Sequence, residues 1–281
     1  MPDKRRIDRK IDTGTNDILA DVSNGIATIT LNRPERRNAM SRPMLSGLAK
    51  LLADFEADHD VAVVVLTGAG GAFCAGGDVK GFNESGGAGG STGQLDPQKV
   101  DQQRAMQRAT VGRMYTYSKP VIASLPGAAA GAGLGLALSA DLRIGGPRTV
   151  MVTAFVGVAL SGDFGTTWLL DKLVGPARTR ELMWLSPKLH ADECLKLGLI
   201  NRVVPDEELE AKTYEIARTL ANGPRGCIAK MKRNFVKVRS DDLFSSMDLE
   251  VQLHLECGVT DDHREAAAAF VQKRAPVFNH K

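Results

Sequence analysis

Aromatic residues are scarce in this chain: they make up 5 % of its 281 residues. That argues against a surface that stacks the bases of single-stranded nucleic acid. A basic excess is also missing. The formal net charge is +3, and much of it sits at Lys4, Arg5, Arg6, Arg9 and Lys10. Without that tail, nothing in the charge balance points to nucleic acid. The cysteines Cys74, Cys194, Cys227 and Cys257 lie far apart in sequence and form no C-x-x-C pair. The histidines are scattered and form no H-E-x-x-H, so no metal site is expected. Free thiols suit a reducing compartment, which makes the cytoplasm the expected location. The charged N-terminus lacks the apolar stretch of a secretory signal.

What is present is an ordinary globular composition, 43 % apolar and 25 % charged. The length suits one large domain, or a domain with a small appendage. One segment stands out, Lys119 to Ile144 (KPVIASLPGAAAGAGLGLALSADLRI). A β-branched run, Val121 to Leu125, turns through Pro126 and Gly127. Gly131, Gly133 and Gly135 then interrupt an apolar stretch that closes on Asp141 and Arg143. Glycine costs a helix about 1 kcal/mol relative to alanine. Its repeated use suggests close approach, with bare backbone N–H groups at a strand-to-helix junction meeting a ligand oxygen. Three other readings compete. A membrane span would use residues 121–140, but Pro126 and the glycines make a poor spanning helix. A dinucleotide loop is disfavoured because Gly131 to Leu136 departs from G-x-G-x-x-G at the last position. A tightly packed core helix is compatible with a functional junction.

Along the chain, residues 1–16 read as a disordered tail. Residues 17–204 read as the core domain and 205–281 as a helical C-terminal region. Ile18 to Leu31 alternates around Ser23-Asn24-Gly25 and reads as a β-hairpin. Ser41 caps a helix with apolar residues from Met44 to Phe55 at helical spacing. Val61 to Leu66 is a continuous apolar run, as expected of a parallel strand covered on both faces. A turn rich in glycine follows it, Ala72 to Asp78 (AFCAGGD). Residues 83–96 are rich in glycine and serine, and read as a lid or a plain insertion. Val100 to Tyr117 is helical. Leu199 to Val204 reads as a strand, and the chain after Pro205 as mostly helical. Late in the chain, Leu243, Phe244, Met247, Val251 and Leu255 share one helical face, with Leu249 and Leu253 on the other side. Two apolar faces suggest two partners, the core and another subunit.

The order of these elements implies βαβ crossovers. Two glycine-rich turns then follow two buried strands, Val61–Leu66 and Val121–Leu125. If both strands share a sheet, both turns lie at the edge where ligands bind in open α/β sheets. Two backbone N–H groups converging there make an oxyanion hole.

The chain resembles the crotonase superfamily, the enoyl-CoA hydratase/isomerase family. The resembling residues are Leu31 to Met40 (LNRPERRNAM), Val64 to Gly68, Phe73 to Asp78, Lys119 to Ile144, and Ala191 to Pro205. The resemblance implies an α/β, crotonase-like spiral of ββα units with a C-terminal all-helical oligomerisation region. It implies a homo-oligomer, a trimer or a hexamer. It also implies an acyl-CoA thioester substrate, with coenzyme A part of that substrate and no separate cofactor. The oxyanion donors are carried over to Gly77 and Ala132, where the family usually has glycine at the second position. The coenzyme A contacts are carried over to Arg36, Arg37, Ala39, Cys74, Ala75 and Gly76. Phe270 and Lys273 match positions that reach the coenzyme A of a neighbouring subunit; ordinary surface charge is the other reading of Lys273.

The departures from the family pattern bear on the reaction. The two glutamates used for hydration would lie at Gly135 and Phe155, in the acyl pocket. Glycine and phenylalanine can neither activate water nor protonate carbon. The acid that remains is Asp163, at a position resembling the catalytic carboxylate of the family's isomerases. Its competing reading is the cap of the helix containing Trp168. Asp78 reads as a cap or turn former, and Glu84 as a remote candidate acid. The expectation is double-bond isomerisation of an enoyl-CoA with Asp163 as acid and base. The alternatives are a hydratase using non-standard acids and a non-catalytic acyl-CoA binder.

Overall fold

The computed structural model describes residues 8–78 and 94–278. Its strands, in chain order, are β1 Arg9–Ile11, β2 Ile18–Ser23, β3 Ile26–Leu31, β4 Val63–Gly68, β5 Val121–Leu125, β6 Ala129–Ala130, β7 Leu142–Gly145, β8 Val150–Val152, β9 Leu189–His190 and β10 Arg202–Val203. Its α-helices are α1 Arg42–Ala57, α2 Pro97–Gln107, α3 Arg113–Thr116, α4 Ala132–Leu138, α5 Thr166–Leu185, α6 Ala191–Lys196, α7 Leu209–Ala221, α8 Arg225–Lys237, α9 Leu243–Gly258 and α10 Asp261–Val271.

The main sheet runs in the order β1-β2-β3-β4-β5-β7-β10, and a small second sheet runs β6-β8-β9. β2 and β3 form the expected hairpin, in a register closing on Ser23 opposite Ile26. Asn24 and Gly25 both adopt positive φ, 50° and 75°, as a two-residue hairpin turn matched to strand twist requires. From β3 onward the pairing is parallel, through β4, β5, β7 and β10.

Alternation along the strands feeds two cores. Ala27, Ile29, Leu31, Val64 and Leu66 face one cluster, with Leu48, Leu51 and Phe55 of α1. Ile26, Val63, Val65, Ile122 and Ile144 face the other, with Leu209, Tyr214 and Ala217 of α7. Apolar runs without a polar face are therefore strands covered on both sides. The helical region expected from 205 onward begins with α7, and that helix is the cover of one sheet face.

Two differences from the sequence reading have clear causes. The tail expected over residues 1–16 contributes β1, which pairs antiparallel with β2 through Arg9 opposite Val22 and Ile11 opposite Ala20. A three-residue edge strand is specified by its partner's free edge, with no periodicity of its own. The strand expected over Leu199–Val204 is confined to Arg202–Val203. The N–H groups of Leu199 and Ile200 instead donate to the Cys194 carbonyl, at 2.8 and 3.3 Å, which closes the end of α6. The helix containing Trp168 is interrupted at Gly175, whose φ of 76° and ψ of 168° are not helical, so α5 is two helical stretches meeting at a kink before Pro176.

The C-terminal helices are tied to the core by a buried lysine. Lys232 of α8, 5 % exposed, donates to the Asp141 carboxylate at 2.7 Å and to the Lys119 carbonyl at 3.1 Å. Asp141 also accepts from the Val121 N–H at 2.7 Å. Arg143, also buried, donates to the carbonyls of Leu199 and Ala140, each at 2.6 Å. The charges that close the Lys119–Ile144 segment are thus structural. Among the described residues, no helix is long and apolar enough to cross a membrane.

Candidate active site

β4 and β5 are adjacent and parallel, with Val64 opposite Val121 and Leu66 opposite Ala123. Both glycine-rich turns therefore leave the same edge of the sheet. They touch: Cys74 bridges to Ala129, and the Ala130 N–H donates to the Cys74 carbonyl at 2.9 Å. Two glycines make this approach possible. A Cβ on Gly133 would stand 2.4 Å from the Cys74 carbonyl oxygen and 2.8 Å from its sulfur. A Cβ on Gly76 would stand 2.7 Å from the Ala130 oxygen and 3.3 Å from the Ala132 nitrogen, and Gly76 has φ 91°. Gly76–Gly77 and Ala132 are therefore neighbours in space. Ala132 opens α4, so its N–H has no acceptor within the helix. Gly131 before it has φ 53° and ψ −125°, a conformation glycine adopts without penalty. The Gly131 N–H donates to the Val152 carbonyl at 3.0 Å and fixes the junction.

The Arg36–Ala39 loop joins the same turn. The Ala75 N–H donates to the Arg37 carbonyl at 3.0 Å, and the Met40 N–H to the Gly76 carbonyl at 2.7 Å. Arg36 and Arg37 are exposed there, while Ala39 is buried. The loop is held from inside by Asn38, fully buried. Its amide donates to the carbonyls of Ala69 and Ala72, at 2.9 and 2.8 Å, and its Oδ1 accepts the Arg33 N–H at 2.9 Å. Sequence reasoning gave Asn38 no role; its left-handed φ of 58°, beside Arg37, is the turn signal behind it. Cys74 is inert by burial, which pushes its thiol up to about 12.

Asp163 sits in the turn before α5. Gly165 occupies the cap position of that helix, and no side chain caps it, so the cap reading of Asp163 does not hold. Its carboxylate instead accepts from the Gln103 amide at 2.9 Å, from the Gln107 amide, and from the Phe164 N–H at 3.0 Å. Burial pushes its pKa up from the ordinary carboxylate value, and these three hydrogen bonds pull against that rise. The turn rests on α4: a Cβ on Gly135 would meet the Phe164 carbonyl oxygen at 2.4 Å and Thr166 Oγ1 at 2.7 Å. Phe155, 6 % exposed, has a ring carbon 3.9 Å from where a Cβ on Gly131 would stand. Between Phe155 and Asp163, Val156, Val158 and Leu160 form an exposed apolar rim.

Asp78 is engaged with Arg33 at 3.2 Å. Phe270, on α10, and Lys273 beyond it are exposed and are not brought to the turns within one chain. Glu84, and most of the segment 83–96 read as a lid, lie outside the described residues. A cavity of about 430 Å³ opens elsewhere, between α5 and α8, lined by Trp168, Met231, Lys232 and Phe235. It includes neither glycine turn nor Asp163, so it is not this site.

Two glycine-rich turns thus meet at the edge of a parallel sheet, and the turn bearing the half-buried Asp163 packs on the helix that follows one of them. The chain belongs to the enoyl-CoA hydratase/isomerase family, whose model matches residues 21–281. It is 36 % identical to the 1,2-epoxyphenylacetyl-CoA isomerase of Escherichia coli K12, over 94 % of this chain and 98 % of that protein. It is 30 % identical to the short-chain-enoyl-CoA hydratase of Clostridium acetobutylicum, over 92 % of this chain and 96 % of that one. The fold matches a crystal structure of enoyl-CoA hydratase from Bacillus anthracis with a TM-score of 0.85, at 29 % identity, covering 94 % of this chain and all of that one. The crotonase fold and an acyl-CoA enzyme of this family are thereby established. The relatives' names include both isomerase and hydratase.

Proposed function

We propose that this chain isomerises the carbon–carbon double bond of an enoyl-CoA thioester. The observation that carries the reading is the packing of Gly135. The position where the resemblance puts a hydratase glutamate is filled by the backbone of the turn that bears Asp163. One carboxylate is left at the site, and one suffices for a double-bond shift.

In this reading the thioester oxygen lies between the N–H groups of Gly77 and Ala132. Asp163 removes a proton from the α-carbon of a 3-enoyl-CoA. The electron pair moves into the thioester, and the two N–H groups stabilise the resulting enolate oxygen. The same carboxyl group returns the proton to the γ-carbon, which leaves the 2-enoyl isomer and an ionised Asp163. Atoms and charge balance, and coenzyme A enters only as part of the substrate. Partial burial suits the residue to the task, because it raises the carboxylate's proton affinity. Arg36, Arg37, Ala39 and the Cys74–Gly76 backbone hold the coenzyme A end. Phe155 and the backbone at Gly135 line the acyl pocket. The exposed stripe Leu243, Phe244, Met247, Val251 and Leu255 of α9 supports a homo-oligomer, in which Phe270 and Lys273 serve a neighbour's coenzyme A.

The test is proton NMR of a panel of enoyl-CoAs in deuterated water, which reads isomerisation, hydration and deuterium exchange together. The panel includes 1,2-epoxyphenylacetyl-CoA because of the isomerase relative. The expected result is migration of the double bond with deuterium uptake, abolished in Asp163→Asn. Hydration of a 2-enoyl-CoA without migration would overturn the reading in favour of a hydratase. Tight binding with no exchange at any carbon would replace it with a non-catalytic binder.

A further inference from the structure

Asp163 is gripped from a helix far away in the sequence. Gln103 and Gln107 are four residues apart on α2 and therefore lie one turn apart on the same face. Gln103 donates to Asp163 Oδ2 at 2.9 Å. Gln107 donates to Oδ1, which also takes the Phe164 N–H at 3.0 Å. The helix that carries them buries no residue between Pro97 and Gln107, so core packing does not explain where these two amides point. Directly after Gln107 the chain widens into a π-helical turn, Arg108–Gly112. Turns of that kind are frequent at functional sites. The turn is anchored beneath by Val111, whose Cγ1 lies 3.6 Å from where a Cβ on Gly165 would stand. The amides and the Asp163 turn thus belong to one packed unit.

We propose that Gln103 and Gln107 are positioning residues of the active site, an amide pair that holds the Asp163 carboxylate in one orientation and leaves Oδ2 free to take the substrate's proton. This rests on the reading of Asp163 as the proton carrier. The accounting of acceptor sites supports it. An ionised carboxylate offers about four lone-pair sites. Oδ1 is filled by Gln107 and Phe164, and Oδ2 has one bond, from Gln103. The remaining site is on Oδ2.

The chemistry of the donors also matters. A cation in place of either amide would lower the proton affinity of Asp163 by roughly one to three pKa units and blunt it as a base. An amide fixes the carboxylate with a smaller effect on its basicity. Several charges on the surrounding elements have partners other than Asp163. On α2, Arg104 pairs with Asp101 at 3.1 Å. On α3, Arg113 pairs with Glu56 at 2.6 Å. On α5, the Lys172 ammonium lies 5.7 Å from the centre of the Trp168 ring. α4 carries no charged residue. Arg178 pairs with Glu181 at 2.5 Å, also on α5; Lys99 on α2, Arg108 on the π turn, and Asp171 and Arg180 on α5 are the other charged residues of these elements. The hydrogen bonds that act on the Asp163 titration come from Phe164, Gln103 and Gln107.

The experiment compares wild type with Gln103→Leu, Gln107→Leu and Gln107→Lys, by two readouts. The first is the ¹³C-carboxyl NMR titration of Asp163, assigned by its absence in Asp163→Asn; it needs no turnover. The second is the pH profile of kcat/KM for 3-enoyl-CoA isomerisation. Leucine is a good helix former, and the positions are outside the core. Each leucine variant is expected to move the carboxyl titration up by about one pH unit, the size expected when one hydrogen bond to the ionised form is lost. The acid limb of kcat/KM should move with it while KM stays within about twofold. Gln107→Lys should move both in the opposite direction. A carboxyl titration unmoved in both leucine variants would overturn the amide pair. A carboxyl titration that moves while the acid limb stays would remove Asp163 as proton carrier, and the positioning role would fall with that reading.

Discussion

The carbonyl oxygen of Phe164 lies 2.4 Å from where a side chain on Gly135 would begin, and Thr166 Oγ1 lies 2.7 Å from it. Both contacts are far inside normal packing distance, and the nearer atom is backbone. Restoring a glutamate at 135 is therefore expected to displace the Asp163 turn and create no hydratase. Gly135→Glu should show no hydration of crotonyl-CoA, measured by loss of thioester absorbance. Its overpacking should cost about 1–3 kcal/mol or more, read as a lowered Tm by calorimetry. Even Gly135→Ala should be destabilised, because the clash begins at Cβ.

Asp163→Asn separates catalysis from stability. Removing a positioned proton carrier is expected to slow isomerisation by roughly 10²–10⁴-fold, with thioester binding retained by the backbone donors. With Asp163 as proton carrier, activity is expected when it is ionised and should be lost as pH falls through its pKa, which burial raises above the ordinary 3.8. The acid limb of the rate profile should lie above that value and vanish with the substitution. Stability has the opposite sign. A raised pKa means the folded chain binds this proton more tightly than the unfolded one. Stability therefore falls as pH rises from 3.8 through the folded pKa, and the penalty is complete above it. Asp163→Asn removes the penalty, so its Tm at neutral pH is expected to equal or exceed the wild-type value.

Much of this site could be read from the sequence because it is made of backbone. The hairpin announced itself through Asn24-Gly25, and the buried strands through continuous apolar runs. The pairing of two glycine turns followed from those strands sharing a sheet. What the sequence hid was contact between side chains distant along the chain. Gln103 and Gln107 sit on a polar helix with no periodic reason to meet Asp163. Asn38 is one polar residue in a polar loop until its amide closes on Ala69 and Ala72. β1 has no alternation to detect, since Arg9 and Lys10 are both exposed and Ile11 is only half-buried. Long-range pairing of this kind is set by the tertiary fold and leaves no local pattern.

The Lys232–Asp141 pair makes a thermodynamic prediction about how α8 is held. Burial lowers the pKa of Lys232 below 10.5, and Asp141 pulls it back up. Asp141→Ala leaves the ammonium buried with only carbonyl oxygens around it, so it should cost about 3–5 kcal/mol near neutral pH. The loss depends on pH. A lysine whose folded pKa lies below its unfolded pKa weakens the fold while protonated, and stability recovers as pH rises through the folded pKa toward 10.5. Urea unfolding at pH 7 and pH 10 should show the gap between variant and wild type shrinking at the higher pH. An equal gap at both would mean that the variant's loss comes from packing alone.

The outer face of α9 makes the last prediction. Leu253 of this helix is 1 % exposed, while Leu243, Phe244, Met247, Val251 and Leu255 are between 52 % and 75 % exposed. Scattered surface leucines need no explanation, but a contiguous helical stripe of five does. A second copy of the chain is the occupant the family resemblance implies. Met247→Glu and Val251→Glu, made together, place two charges at the centre of the stripe and touch no catalytic candidate. If α9 joins subunits, light scattering during size exclusion should give the mass of one chain for the variant and a multiple of it for wild type. Far-UV circular dichroism should be unchanged, because both positions are solvent-facing within the chain. The same double variant should lose affinity for coenzyme A thioesters if Phe270 and Lys273 complete a neighbour's site, since separated chains present those residues to solvent alone. A dissociated variant with undiminished affinity would assign the coenzyme A contacts entirely to Arg36, Arg37 and the Cys74–Gly77 turn of one chain.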